Sequence, residues 1–297
     1  MMKRVFLFLL TNLAVIVVAS IVLSLLGVKP YLNAQGINYG ALLAFAAVFG
    51  FTGSFVSLML SKFMAKRVYN IHIINQPRNR MEDWLSQKVQ DLSAQMGIGT
   101  PEIGVYASHE PNAFATGWNR NKALVAVSTG LMETMSEEEV EAVLAHEVGH
   151  VANGDMITLT LIQGVVNTFV IFFARIAAWV VTNFLAGDRD EEGGGFPYLI
   201  YFIVSIFFEI VFGILASVVV MWFSRYREYR ADAASAKIVG AHKMIAALRR
   251  LQHMSKIPVD SRAPEMSAFK INNRGKFLAL FSSHPPLEKR IAALQNA

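Results

Sequence analysis

Four long apolar runs constrain this chain before any other feature does. Val5 to Leu26, Tyr39 to Leu60, Ile157 to Ala186 and Phe196 to Phe223 each reach or exceed the roughly 20 residues a helix needs to cross a bilayer. Backbone in hydrocarbon must satisfy its own hydrogen bonds, so runs of this length are expected as helices. With 54% hydrophobic residues, 16% charged residues and a mean hydropathy of +0.41, the chain is too apolar for an ordinary soluble globule. A membrane protein is expected, with the lipid bilayer as one partner. Val18-Ala19-Ser20 resembles a signal cleavage site, but the first run continues well past it and reads as an uncleaved anchor.

Orientation follows from lysine and arginine near the runs. Lys3 and Arg4 precede the first, Lys62, Lys66 and Arg67 follow the second, and Arg225, Arg227 and Arg230 follow the fourth. The opposite loops carry Lys29 alone and Arg189 among four acidic residues. Both termini and the segment between the second and third runs are therefore placed in the cytoplasm. These flanks account for the net charge of +5, so no nucleic-acid partner is needed. The absence of cysteine removes thiolates as metal ligands and identifies no compartment.

Between the two pairs of runs lies His146-Glu147-Val148-Gly149-His150. His-Glu-x-x-His on a helix puts two imidazoles on one face, about 40° apart, with a carboxylate beside them that can take a proton from a zinc-activated water. The helix itself is delimited by its surroundings. Ser136-Glu137-Glu138-Glu139 reads as a capping box, Val140, Leu144, Val148 and Val151 form an apolar stripe, and Asn153-Gly154 offers a stop. Four glutamates over Ser136 to Glu141 keep this helix out of hydrocarbon, which argues against a protease that cuts inside the bilayer.

A catalytic zinc takes three protein ligands and leaves one position open. Glu228, in Arg227-Glu228-Tyr229-Arg230-Ala231-Asp232, is the candidate third ligand, with Asp232 one turn on as an acceptor for the far ring nitrogen of a ligating histidine. A solvated charged helix outside the membrane would account for the same residues. Span parity favours the ligand, because two crossings between His150 and Glu228 return the chain to its starting side. His150 precedes Ile157 by 7 residues and Glu228 follows Phe223 by 5, so the metal is expected about 10 Å or less from each run.

In the remainder, helices are expected over Met81 to Met96, Ser224 to Val239 and His242 to Met254, with breaks at Gly97 and Gly240. Glu102 to Ala107 and Ala123 to Ser128 read as strands, with a turn at Gly117 to Asn121 and Asn112 to Thr116 in the hairpin region between them. Ser255 to Arg274 reads as a loop, and a short helix follows His284-Pro285-Pro286. Arg175 and Glu209 lie at similar depth in the third and fourth runs, as a buried ion pair or a transport site.

Taken together, the four runs, Asn112 to Gly117, His146 to His150, Asn153-Gly154-Asp155, Glu228 to Asp232 and His284-Pro285-Pro286 closely resemble the HtpX-type membrane metalloproteases of bacteria, in the group that includes the CAAX-prenyl endopeptidases. The resemblance covers nearly the whole chain. It implies a mainly α membrane protein with four transmembrane helices and a cytoplasmic α+β zincin domain of the gluzincin type. Residues 1–61 would hold two helices, 62–156 the first part of the catalytic domain, 157–223 a transmembrane hairpin and 224–297 the second part. It further implies one zinc per chain on His146, His150 and Glu228, with Glu147 as base. His284 and Arg290 would face the active site, and Asn112, Ala113, Phe114, Ala115 and Thr116 would form the edge strand that holds polypeptide substrate. His284, supported by Arg290, is a candidate donor to the developing oxyanion, although a Pro-Pro turn before a surface helix explains the pair equally. The implied role is quality control of membrane proteins at the cytoplasmic (inner) membrane. The rival reading is a non-catalytic scaffold or transporter with a structural zinc site. Substrate identity and oligomeric state are not legible in the residues.

Overall fold

The computed structural model describes residues 17–26, 30–33, 36–186, 196–256 and 282–296. Residues 5–16 of the first apolar run, the acidic loop at 187–195 and most of the loop expected over Ser255 to Arg274 lie outside them. The elements begin with α1, described over residues 17–25, then β1 (Leu32–Asn33), β2 (Gly36–Ile37), α2 (Tyr39–Val68), β3 (His72–Ile73), α3 (Arg80–Gln95) and β4 (Glu102–Tyr106). Next come β5 (Ala113–Thr116), β6 (Leu124–Ser128), α4 (Thr129–Thr134), α5 (Glu137–Asn153), α6 (Asp155–Ala186), α7 (Phe196–Val239), α8 (Ala241–Lys256) and α9 (Leu287–Gln295). The chain is thus mainly helical with a small sheet. Among the described residues, α2, α6 and α7 are long and apolar enough to cross a membrane.

The chain divides into two compact units. One comprises Met1–Ser57 and Leu159–Val220, the other Leu58–Thr158 and Met221–Ala297. In the first, α2 and α6 approach so closely that a Cβ on Gly50 would lie 2.7 Å from the Thr168 amide nitrogen and 2.9 Å from the Gly164 carbonyl. Small residues let helix backbones touch in this way where lipid offers no hydrophobic drive to association. Asn167 Nδ2 reaches Ser54 Oγ at 3.4 Å across the same seam. Arg175 pairs with Glu209 at 2.9 Å, joining α6 to α7.

The second unit is built on a sheet of order β3-β4-β6-β5. β6 is buried along its whole length, as a run of Leu-Val-Ala-Val suggests for a central strand. It pairs parallel with β4, from Glu102 opposite Leu124 to Tyr106 opposite Ser128. β5 pairs antiparallel with β6, Phe114 opposite Ala126. This corrects the expected hairpin: the chain leaving β4 passes the position of β6 to form β5 at the edge, and the turn at Gly117 to Asn121 then brings it back as β6, between β4 and β5. A two-residue strand such as β3 leaves no alternation to read, and it falls in a stretch where no strand was expected.

One face of the sheet packs on α3, α5, α8 and α9 through Leu85, Val89, Val125, Val127, Leu144, Val148, Leu248 and Ile291. Glu141 of α5 ties this layer together, accepting from Lys88 of α3 at 2.8 Å and Lys243 of α8 at 2.7 Å. Partial burial pushes its carboxyl up, but the two ammonium groups outweigh that and hold it below the ordinary value. A lowered native pKa means that the stabilisation is present above the unfolded value of 4.5 and is lost as pH falls through the native one. Glu141→Gln is expected to lower the thermal midpoint of the solubilised protein at pH 7 by a few degrees, about 1 kcal/mol, with the gap to wild type closing in acid. A midpoint difference independent of pH would contradict this account.

Gly240, at φ 95°, separates α7 from α8. α7 itself runs unbroken from the fourth apolar run through the helix expected over Ser224 to Val239, and α8 continues to Lys256, slightly beyond the expected Met254.

Candidate metal centre and active site

The site is assembled on α5. Its start is the anticipated capping box: Ser136 Oγ accepts from the Glu139 amide, and the Glu139 carboxylate accepts from the Ser136 amide at 2.9 Å. Its end is Gly154, left-handed at φ 69°, a conformation that costs glycine nothing and other residues about 1 kcal/mol or more. The chain resumes at once in α6 with Asp155. Gly149 lets α7 lie against the histidine turn, for a Cβ there would meet the Ala234 Cβ at 3.2 Å. Ser235 Oγ, donating to the Ala142 carbonyl at 2.9 Å, holds the two helices in register.

This packing brings Glu228 onto the two histidines. One ligand atom each from His146, His150 and Glu228 lie within 4.8 Å of one another, and all three residues are buried. His146 Nε2 is 3.5 Å from Glu228 Oε2, and His150 Nε2 is 3.2 Å from Glu228 Oε1. The far ring nitrogens are already engaged: His146 Nδ1 lies 2.9 Å from Asp232 Oδ1 and His150 Nδ1 lies 2.6 Å from Asp155 Oδ2. With each Nδ1–H donating to a carboxylate, both Nε2 lone pairs turn toward Glu228. Asp155, just past the helix cap, was not assigned this role from the sequence. Its sequence signals were its position directly after a glycine helix stop and its place in Asn153-Gly154-Asp155.

Arg290 of α9 is buried and donates to both oxygens of Asp232, at 2.8 and 2.6 Å, with a third nitrogen 3.3 Å from Glu228 Oε2. Its guanidinium therefore holds the acidic pair in place. His284 is largely exposed and sets Nδ1 2.7 Å from Glu228 Oε2. Glu147, between the two histidines, accepts from the Ala115 amide of β5 at 3.0 Å. β5 is an edge of the sheet, and Asn112 precedes it while donating its amide to Ser128 Oγ. Of the sequence-derived candidates, His146, Glu147, His150, Glu228, Asp232, His284, Arg290 and Ala115 thus meet in one place, whereas Phe114 lies on the other face of β5.

These residues fit a divalent cation on three grounds. Glu228 Oε1 is buried without a hydrogen bond of acceptable geometry, an orphaned acceptor facing an imidazole nitrogen. Asp155, Glu228 and Asp232 are all buried, against the one guanidinium, that of Arg290, buried among the described residues. Three carboxylates against one guanidinium leave about two negative charges to be compensated, since unpaired buried charge is costly. Two imidazoles and one carboxylate, with no cysteine in the chain, are a donor set that suits zinc.

Without a metal, protons must supply that charge. Burial lowers the basicity of both imidazoles, but Asp232 and Glu228 outweigh it at His146, and Asp155 and Glu228 push His150 up to about 9. A raised pKa means the proton is held below that value, so metal must displace it throughout the neutral range. Metal affinity is expected to rise roughly tenfold or more per pH unit between about pH 6 and 8, with protons released on binding. Titration calorimetry in buffers of different ionisation enthalpy measures that release. A pH-independent affinity would overturn the assignment.

The chain matches the profile of peptidase family M48 over residues 79–297. It belongs to peptidase family M48. Among full-length relatives, "Protease HtpX" of Tolumonas auensis is 58% identical over 295 residues, covering 99% of each chain. "Protease HtpX" of Chromohalobacter salexigens is 55% identical over 299 residues, covering 100% of this chain and 99% of the relative. The crystal structure of S. mikatae Ste24p superposes with a TM-score of 0.63 at 21% identity. It covers 85% of this chain, which in turn spans 58% of the Ste24p structure, a likeness of fold. The chain is a membrane protease of this metal-dependent family.

Proposed function

We propose that this M48 peptidase is a zinc-dependent endopeptidase of the bacterial cytoplasmic membrane. Four transmembrane helices would carry a zincin domain on the cytoplasmic side, acting on damaged or misassembled membrane and cytoplasmic polypeptides. The observation that carries the reading is the inward convergence of His146 Nε2, His150 Nε2 and Glu228, each imidazole locked by its own aspartate, beside a glutamate that touches an edge strand.

Zinc held by His146, His150 and Glu228 would supply Lewis-acid activation of water and of the peptide carbonyl. The chain's own groups do the rest. Asp155 and Asp232 orient the imidazoles, and Arg290 fixes Asp232. Glu147 takes a proton from the attacking water as its oxygen bonds to the carbonyl carbon. When the C–N bond breaks, Glu147 returns that proton to the leaving nitrogen. His284, exposed and one hydrogen bond from Glu228, would donate to the oxyanion through its remaining ring nitrogen in the imidazolium form, in which both ring nitrogens carry protons. β5 presents the outward backbone groups of Ala113 and the Ala115 carbonyl to an extended substrate, the Ala115 amide being held by Glu147, and the substrate pairs with this edge main chain to main chain.

The test is metal removal. Chelation of the purified full-length protein should abolish casein cleavage, and stoichiometric zinc, one per chain, should restore it. Cleavage that persists in metal-free protein would end the proposal.

A further inference from the structure

The two faces of β5 differ sharply in chemistry. Ala113 and Ala115 lie on the face that packs toward α5, and both are small. Phe114 lies on the other face, grouped with Tyr106, Leu124 and Ala126 beneath Ala65 and Ile71. Tyr69, the first residue after α2, completes a triangle there. Its ring centroid is 5.3 Å from those of Tyr106 and Phe114, which are themselves 5.8 Å apart. Tyr106 is a buried floor at 4% exposure, whereas Tyr69 is 47% exposed and Phe114 is half-buried. Ala126, opposite Phe114 on β6, is small enough for the rings to close over it.

A strand added to the β5 edge continues the pleat, so its side chains alternate between these faces. Residues opposite Ala113 and Ala115 project toward the metal ligands and meet only methyl groups from β5. The residue opposite Phe114 projects to the other face, beside an open aromatic ring backed by Tyr69. Cross-strand aromatic and apolar pairs are the contacts that discriminate side chains on a sheet. Because the Ala115 amide touches Glu147, this residue also lies close to the peptide bond that reacts.

We propose that Phe114, held by Tyr69, selects a large apolar or aromatic substrate side chain at the one position opposite it, and that β5 exerts no such selection at the positions opposite its alanines. Phe114 makes the contact and Tyr69 is a positioning residue. The inference rests on the edge-strand reading above.

The experiment maps casein cleavage sites by mass spectrometry for the zinc-loaded full-length protein and for Tyr69→Ser, Tyr69→Phe and Phe114→Ala. Wild type should show enrichment of Phe, Tyr, Leu, Ile or Met at one fixed position near the cleaved bond. A peptide pair differing only there, Phe against Ser, should differ about fivefold in kcat/KM, carried mainly by KM. Tyr69→Ser and Phe114→Ala should bring that ratio near one, and Tyr69→Phe should restore it. A wild-type profile with no such position, or a ratio unmoved by Tyr69→Ser and Phe114→Ala together, overturns the selection while leaving metal-dependent cleavage intact. Absence of any Glu147-dependent cleavage would instead remove the proposed function itself.

Discussion

Glu147→Gln is expected to stop peptide hydrolysis while leaving the metal bound. The substitution is isosteric, and a glutamine carbonyl can still accept the Ala115 amide that now lies 3.0 Å from the Glu147 carboxylate. The edge strand therefore keeps its place. His146, His150 and Glu228 are untouched, and so are the aspartates that lock the imidazoles. What disappears is the ability to take and return a proton, because an amide oxygen is far too weak a base. Positioned general bases contribute about 10²–10⁴-fold, and here one group serves both proton transfers, so a loss of at least about 10³-fold in kcat is expected. Zinc content and casein cleavage, measured on the same preparations, decide the matter. Retained proteolysis would remove Glu147 from the role of base, and loss of zinc would show that it helps to hold the metal.

Glu228→Ala should have the complementary effect, loss of metal from a protein that still folds. Removing the hydrogen-bond partner of a ligand typically costs 10–100-fold in affinity, and removing the ligand itself should cost more. Asp232→Asn provides the internal comparison, a smaller loss through a less firmly held His146. The Glu228→Ala fold should survive, since it removes one of three buried carboxylates and leaves the bidentate grip of Arg290 on Asp232 in place. Linkage gives a second readout: chelation should lower the thermal midpoint of wild type and scarcely move that of Glu228→Ala. If Glu228→Ala retains stoichiometric zinc, another residue is the third ligand.

Much of the site is legible in local sequence because its chemistry sits on one helix. The capping glutamates, the apolar stripe and the glycine stop of α5 are all short-range signals, and helix period alone puts His146 and His150 on a common face. Glu228 was nominated by its place one turn before Asp232 on an expected helix, and counting crossings of the bilayer favoured it as a ligand over a solvated charged face. Asp155 escaped because its position depends on the left-handed turn at Gly154, a backbone dihedral that no periodicity encodes. The sheet was read least well. β4 and β6 are parallel neighbours whose pairing depends on a crossover, and β3 is too short to carry a pattern.

The sequence by itself determined that the chain enters a membrane, that one helix sets two histidines on a common face with a glutamate between them, and which acidic residue could join them. Each of these follows from composition, from spacing within one element or from the parity of the apolar runs. The tertiary structure decided how the far nitrogen of each imidazole is held, that Arg290 clamps Asp232, and that Glu147 meets the edge strand. Those contacts join residues as far apart in the chain as His146 and Asp232, where ångström-scale hydrogen bonds depend on how helices pack.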